Sequence, residues 1–178
     1  MTLPEIDPGG PADPTLAPQP VSDVDRPAAF TLMAAGWWPP VERVTQAYGL
    51  CFTGEGLVVL VRLPCYGWTL PGGTVEPGEH PDDTLVREVH EEACARVVRS
   101  RYLASQHVWD PEAPDGRSSH YQSRFWARVE LSLWAPQHET VERCLVPPAA
   151  VPATLFWQET AIISRLLEQA VRVEAAEP

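Results

Sequence analysis

Between Gly73 and Ala95 the chain carries Glu79, then Arg87-Glu88, then Glu91-Glu92. On a helix, Glu88, Glu91 and Glu92 stand at i, i+3 and i+4 and share one face. Like charges at that spacing repel. A hard divalent cation relieves the repulsion because it binds carboxylate oxygens. Mg²⁺ suits such a ridge, since it takes a few carboxylates and leaves positions for water and phosphate oxygens. The competing reading is a solvated acidic helix face with no ligand.

The elements that must carry these residues are legible around them. A helix is predicted from about Pro81 to Cys94. Pro81 suits the first helical position, Asp82 and Asp83 favour the positive end of the dipole, and Leu85, Val89 and Ala93 form an apolar stripe. Before it, Thr45–Phe52 and Leu57–Leu63 read as strands joined by the turn Thr53-Gly54-Glu55-Gly56. Leu70-Pro71-Gly72-Gly73 breaks the chain just ahead of the acidic segment. After it, Val97–Gln106 and Tyr121–Leu133 read as strands and Leu145-Val146 as a short one. Leu155–Val173 reads as a second amphipathic helix, with Phe156, Ile162, Ile163, Leu166, Leu167 and Ala170 on its apolar face.

The chain of 178 residues has a formal net charge of −11, and its 13 basic residues are all arginine. That excludes lysine chemistry and argues against nucleic acid as a bulk partner, which demands a basic surface. No run of about 18 apolar residues exists, so no membrane partner is expected. Cys51, Cys65, Cys94 and Cys144 lack metal-ligand spacing, and with no secretory signal they read as thiols of a cytoplasmic protein. Residues 1–26 are proline-rich and acidic and are expected to be a disordered tail. Residues 27–40 form an apolar lead-in without an assigned element, 41–173 the domain, and 174–178 a C-terminal tail. Seven tryptophans are many for this length; Trp37, Trp38, Trp68 and Trp126 are expected mainly to pack the core.

Gly73, Glu79, Arg87, Glu88, Val89, Glu91 and Glu92 stand in register with the signature G-x5-E-x7-R-E-U-x-E-E-x-G-U, where U is a bulky aliphatic residue. In this the chain resembles the Nudix hydrolases. Two positions depart from the pattern: Cys94 replaces a glycine that would end the helix in a left-handed conformation, and Ala95 replaces a large aliphatic. The resemblance implies an α/β fold, an αβα sandwich with a mixed β-sheet and a loop-helix-loop around the signature. It implies that Glu88, Glu91 and Glu92 are metal ligands for Mg²⁺ or Mn²⁺, with the Gly72 carbonyl as a backbone ligand. Arg87 would orient a glutamate of the site and Glu79 would brace the loop. A further loop glutamate would take the proton of the attacking water, Glu139 in first place and Glu142 in second. The implied reaction is attack of water on a pyrophosphate phosphorus in a nucleoside diphosphate linked to another moiety, X. Gln122 and Arg124 on a late strand are candidates for substrate binding, with an outward-facing position as the alternative for Arg124. Family members are often dimers, so a homodimer is expected. A Nudix-fold module that binds or regulates without turnover is the alternative function.

Overall fold

The computed structural model describes residues 7–20, 28–113, 116, 118–157 and 161–177. Among these, nine strands form one mixed sheet: β1 (Gln19–Pro20), β2 (Ala29–Leu32), β3 (Val44–Phe52), β4 (Val58–Leu63), β5 (Gly67–Thr69), β6 (Gly72–Thr74), β7 (Ala95–Trp109), β8 (Ser119–Leu131) and β9 (Glu142–Val146). The helices are α1 (Pro81–Ala93), the short α2 (Val151–Thr154) and α3 (Ala161–Ala176). The path across the sheet is β1-β2-β7-β8-β3-β4-β5, with β6 paired to β3 and β9 to β4. Only β3 and β8 run parallel among these pairs, and every other pair is antiparallel.

Side-chain alternation along the strands builds two cores. Ala47 and Cys51 of β3, Val59 and Val61 of β4, and Phe125, Ala127 and Val129 of β8 meet Leu85, Val89 and Ala93 of α1. The intervening residues Leu50, Phe52, Val58, Leu60 and Trp126 point the other way and meet Ile162, Ile163, Leu166 and Ala170 of α3. The central strands are therefore apolar on both faces, as a sheet covered by helices on both sides requires. This is the αβα sandwich with a mixed sheet. Among the described residues no helix is long and apolar enough to cross a membrane.

Two local expectations change. The C-terminal helix is not continuous from Leu155: Leu155 leaves α2 in an extended conformation, and α3 spans Ala161–Ala176, which takes residues 174–176 of the expected C-terminal tail into the helix. The tail also differs from the disordered segment expected. Residues 7–20 lie on the domain, while 1–6 and 21–26 fall outside the described residues. β1 pairs with β2 at the edge of the sheet, a place where proline is tolerated because its missing N–H faces no partner. The Asp13 amide donates to the Leu32 carbonyl at 2.8 Å and Ala34 N to the Pro11 carbonyl at 2.7 Å. The Asp13 carboxylate is 4% exposed. It accepts from Thr15 N at 2.8 Å and Arg165 Nε at 3.2 Å. Leu16 packs on the α3-side core, and the Tyr121 hydroxyl donates to the Pro8 carbonyl. Composition alone gave the tail too little apolar area to order itself. Backbone pairing to an open sheet edge and one satisfied buried carboxylate supply what side-chain burial does not.

Candidate active site

α1 begins at Pro81, with the His80 imidazole accepting the Asp82 amide at 3.5 Å. Burial of Leu85, Val89 and Ala93 against the sheet fixes the rotation of the helix. Glu88, Glu91 and Glu92 thereby face the β6 turn. The glycines there permit a close approach. A Cβ on Gly72 would lie 2.6 Å from Tyr48 Cα, and one on Gly73 would lie 2.4 Å from Glu88 Oε1. The Gly72 amide donates to Glu92 Oε2 at 3.0 Å.

Arg87 ties the loop to the helix. Its Nε and Nη2 donate to the two oxygens of Glu79 at 2.9 and 3.0 Å. Its Nη1 reaches Glu88 Oε1 at 2.8 Å and Glu91 Oε2 at 3.3 Å, and Nη2 also reaches the Thr74 carbonyl at 2.9 Å. Glu79 further accepts from Thr84 Oγ1 at 2.7 Å and Glu76 N at 3.1 Å. The Arg87 bonds, helped by those from Thr84 and Glu76, hold the Glu79 carboxyl down at about 2. The same pairing pushes the Arg87 guanidinium upward.

The ridge carboxylates behave differently. Burial, with the charges of Glu88, Glu139 and Glu91 adding to it, pushes Glu92 up to about 7 against the pull of the Gly72 amide. Burial raises Glu88 too, against the pull of Arg87. Among the described residues no three acidic, cysteine or histidine side chains already close on one point as a ligand set. Glu88 and Glu91 are held by Arg87 instead. The donor chemistry nonetheless fits a hard cation: crowded, partly desolvated carboxylates with no lysine nearby are what such an ion stabilises.

These groups line an open cleft of about 800 Å³. Gly72, Arg87, Glu88, Glu91, Glu92 and Glu139 all line it. Glu142, at the start of β9, pairs with Arg62 instead. Glu79 stands behind Arg87, outside the lining. Gln122 and Arg124 do not line the cleft either. Gln122 touches Gln46, which does, with Nε2 donating to Gln46 Oε1 at 2.5 Å. The Arg124 guanidinium lies 4.7 Å from the centre of the Tyr48 ring, another wall of the cleft. Desolvation pushes that guanidinium down to about 10.

The cleft wall also holds His138, Tyr48, Gln46, Tyr66 and Trp157, none of them singled out in the sequence, and Phe156, which was expected on the apolar face of the C-terminal helix. His138 Nε2 stands 3.3 Å from Glu91 Oε2. The Phe156 and Trp157 rings meet edge to face at 4.9 Å, and Tyr66 stands 5.9 Å from Phe156. The six come from β3, the β4–β5 turn, the β8–β9 loop and the loop before α3, so no local spacing links them. Of the tryptophans, Trp126 is wholly buried, while Trp38 is 44% exposed and stacks on Tyr102 at 3.7 Å.

The expected glycine position is resolved by Cys94. It takes the left-handed conformation itself, with φ 48° and ψ 52°, and ends α1. It is the one non-glycine with positive φ among the described residues. Its carbonyl accepts from Ser132 N at 2.8 Å and Arg143 Nη1 at 3.0 Å, and its Sγ accepts from Ala135 N at 3.3 Å. Ala95 starts β7 and is buried in the α1-side core, with Val97 packed against it.

A carboxylate-lined cleft at the edge of a helix-covered mixed sheet defines the class, an α/β protein built around a loop-helix-loop that gathers acidic groups. The NUDIX domain model matches residues 43–167, and the chain belongs to that family. Over 62 residues it is 44% identical to the mouse (Mus musculus) diphosphoinositol polyphosphate phosphohydrolases 3-alpha and 3-beta. That stretch is 33% of this chain and 38% of each relative. Among solved structures, a mutant of the Bacillus subtilis pyrophosphohydrolase BsRppH superposes with a TM-score of 0.73 at 21% identity, covering 91% of this chain and 100% of that one. The NUDIX domain of Shewanella oneidensis NrtR, complexed with ADP ribose, gives 0.56 at 18% identity over 77% of this chain and 94% of that one. At these identities the likeness is one of fold. Nudix hydrolases generally use divalent metal ions.

Proposed function

We propose that this protein is a Mg²⁺-dependent pyrophosphohydrolase acting on a nucleoside diphosphate linked to X. The observation that carries the reading is the convergence of Glu88, Glu91, Glu92 and Glu139 in one cleft that also has an aromatic wall. An anion cannot approach such a ridge unaided. Mg²⁺ or Mn²⁺, held by Glu88, Glu91, Glu92 and the Gly72 carbonyl, would neutralise pyrophosphate charge and acidify an attacking water.

The chain's own residues have distinct tasks. Arg87 keeps Glu88 and Glu91 in place and is itself anchored by Glu79. Glu139, on the loop opposite α1, takes the proton of water as general base. Tyr66, Phe156 and Trp157 give flat apolar surfaces for a base. A diphosphoinositol polyphosphate, the ligand class in the names of the mouse relatives, is a dense anion that needs several cationic side chains. The described lining offers Arg87, already committed to three carboxylates, and His138. The lining therefore favours a nucleotide. Retention of every signature carboxylate favours turnover over a binding module. The test is release of nucleoside monophosphate across a panel of nucleoside diphosphate derivatives, with Mg²⁺ and with EDTA. Metal-dependent release that Glu92→Gln abolishes supports the proposal. Ligand binding without release from any member refutes it.

A further inference from the structure

On the α3 side of the sheet, three neighbouring strands place amides and a guanidinium in one row. Gln46 of β3 stands opposite Gln122 of β8, and Gln122 opposite Gln106 of β7. One step along, Tyr48 stands opposite Arg124. The hydrogen bonds run in one direction. Arg124 Nη2 donates to Gln122 Oε1 at 2.6 Å and to Gln106 Oε1 at 3.1 Å. Gln122 Nε2 donates to Gln46 Oε1 at 2.5 Å.

A guanidinium has no acceptor, so the direction is dictated at its source. Gln122 must turn its oxygen to Arg124 and hence its nitrogen to Gln46. Gln46 must then accept with its oxygen, which leaves the NH₂ group of this cleft-lining residue as the donor available to a ligand. No acceptor for that NH₂ exists among the described residues. The Tyr48 ring beside it is held on the Arg124 guanidinium. A glutamine alone could present either end by rotating its amide. Here the relay denies it that freedom.

We infer that Gln46 is a specificity-determining residue with fixed donor polarity, and that the cleft takes a base by a ring carbonyl (hypoxanthine, guanine or uracil type) in preference to an amino base. The inference rests on the nucleotide reading above. A carbonyl oxygen accepts from the Gln46 NH₂. An exocyclic amine there would set donor against donor and leave both unpaired, which rejects a ligand more strongly than a missing contact does. Stacking on Tyr66, Phe156 or Trp157 tolerates any base, so the choice falls to the amide.

The test compares the dissociation constants of IMP and AMP in Mg²⁺ by calorimetry. Neither holds an anhydride, and they differ only at C6 and N1 of the base. The wild type should bind IMP at least about tenfold more tightly. Gln46→Glu, which offers only acceptors, should bring the ratio to one or invert it. Gln122→Met removes the relay, frees the Gln46 amide to rotate, and should bring the ratio close to one while AMP still binds. A wild-type ratio within twofold of one, a ratio unchanged in both variants, or no binding of either nucleotide overturns the inference; the wild-type ratio does so even if a variant fails to fold. Nucleoside monophosphate release from the diphosphate panel above, with IDP and ADP included, is read in the same buffer. Release with no base preference sinks this inference and leaves the hydrolase; a preference with no release from any diphosphate sinks the hydrolase and leaves the donor assignment.

Discussion

Replacing Glu92 by Gln should make the protein more stable without metal while removing its activity. Glu92 is 7% exposed and faces Glu88, Glu91 and Glu139. Its carboxyl is raised from 4.5 to about 7, chiefly by burial. That difference corresponds to about 3 kcal/mol in favour of the neutral form. Below pH 4.5 the group is neutral in both the folded and the unfolded chain and costs nothing. As pH rises through about 7 the folded protein must ionise it, and the stability it had at low pH is lost. Glutamine never ionises, and its oxygen can still accept from the Gly72 amide. In EDTA the difference between Glu92→Gln and wild type should therefore be near zero at pH 4.5. It should grow to about 2–3 kcal/mol in favour of the variant above pH 8, or about 4–12 °C in melting temperature for a chain of this size. Titrating groups remote from the ridge cancel in the difference. Mg²⁺ should reverse the order, because it stabilises the folded wild-type ridge by mass action and meets one ligand fewer in the variant. Thermal melts at pH 4.5, 6, 7 and 8, with EDTA and with Mg²⁺, supply the measurement. A variant no more stable than wild type at pH 8 in EDTA, or a gain independent of pH, would refute the view that the ridge is electrostatically strained.

The opposite sign is expected at Glu79, whose carboxyl is held at about 2 chiefly by its Arg87 hydrogen bonds. Glu79→Gln should cost about 1–2 kcal/mol at pH 7, a loss that shrinks as acid approaches pH 2 and protonates the wild-type group, and that urea melts at both pH values would show. Asp13→Ala should cost about 1–2 kcal/mol because it leaves the Thr15 amide without its acceptor and Arg165 with Glu168 alone; melting unchanged from wild type would mean that this carboxylate adds nothing to the docking of residues 7–20. Cys94→Gly should stabilise by up to about 1 kcal/mol, since glycine meets no Cβ penalty at φ 48°. Part of that gain is offset by loss of the Sγ acceptor of Ala135, and a lower melting temperature would show the sulfur contact to outweigh the strain.

Local pattern made α1 legible before any fold was known. Its apolar stripe at i, i+4 and i+8 states which face is buried, and the register of Glu88, Glu91 and Glu92 follows from 3.6 residues per turn. The acidic ridge was therefore readable in one dimension, as was the hairpin of β3 and β4, while the layered sandwich came from the resemblance carried by the signature. Cys94 was readable as an anomaly, though which way the chain would resolve it was not. What the sequence could not convey depends on contacts between residues far apart in the chain. The docking of residues 7–20 rests on backbone pairing with a sheet edge that exists only once β2 and β7 are assembled. Glu139 and Glu142 look alike as loop acids, yet the pairing of β9 with β4 carries Glu142 to Arg62 and leaves Glu139 in the cleft. Arg124 and Gln122 gave no sign that they touch Tyr48 and Gln46, because the parallel register of β3 and β8 joins residues some 76 positions apart. Helix periodicity is a property of neighbours in sequence. The polarity of a hydrogen-bonded row across three strands is a property of their register, and only the folded sheet determines it.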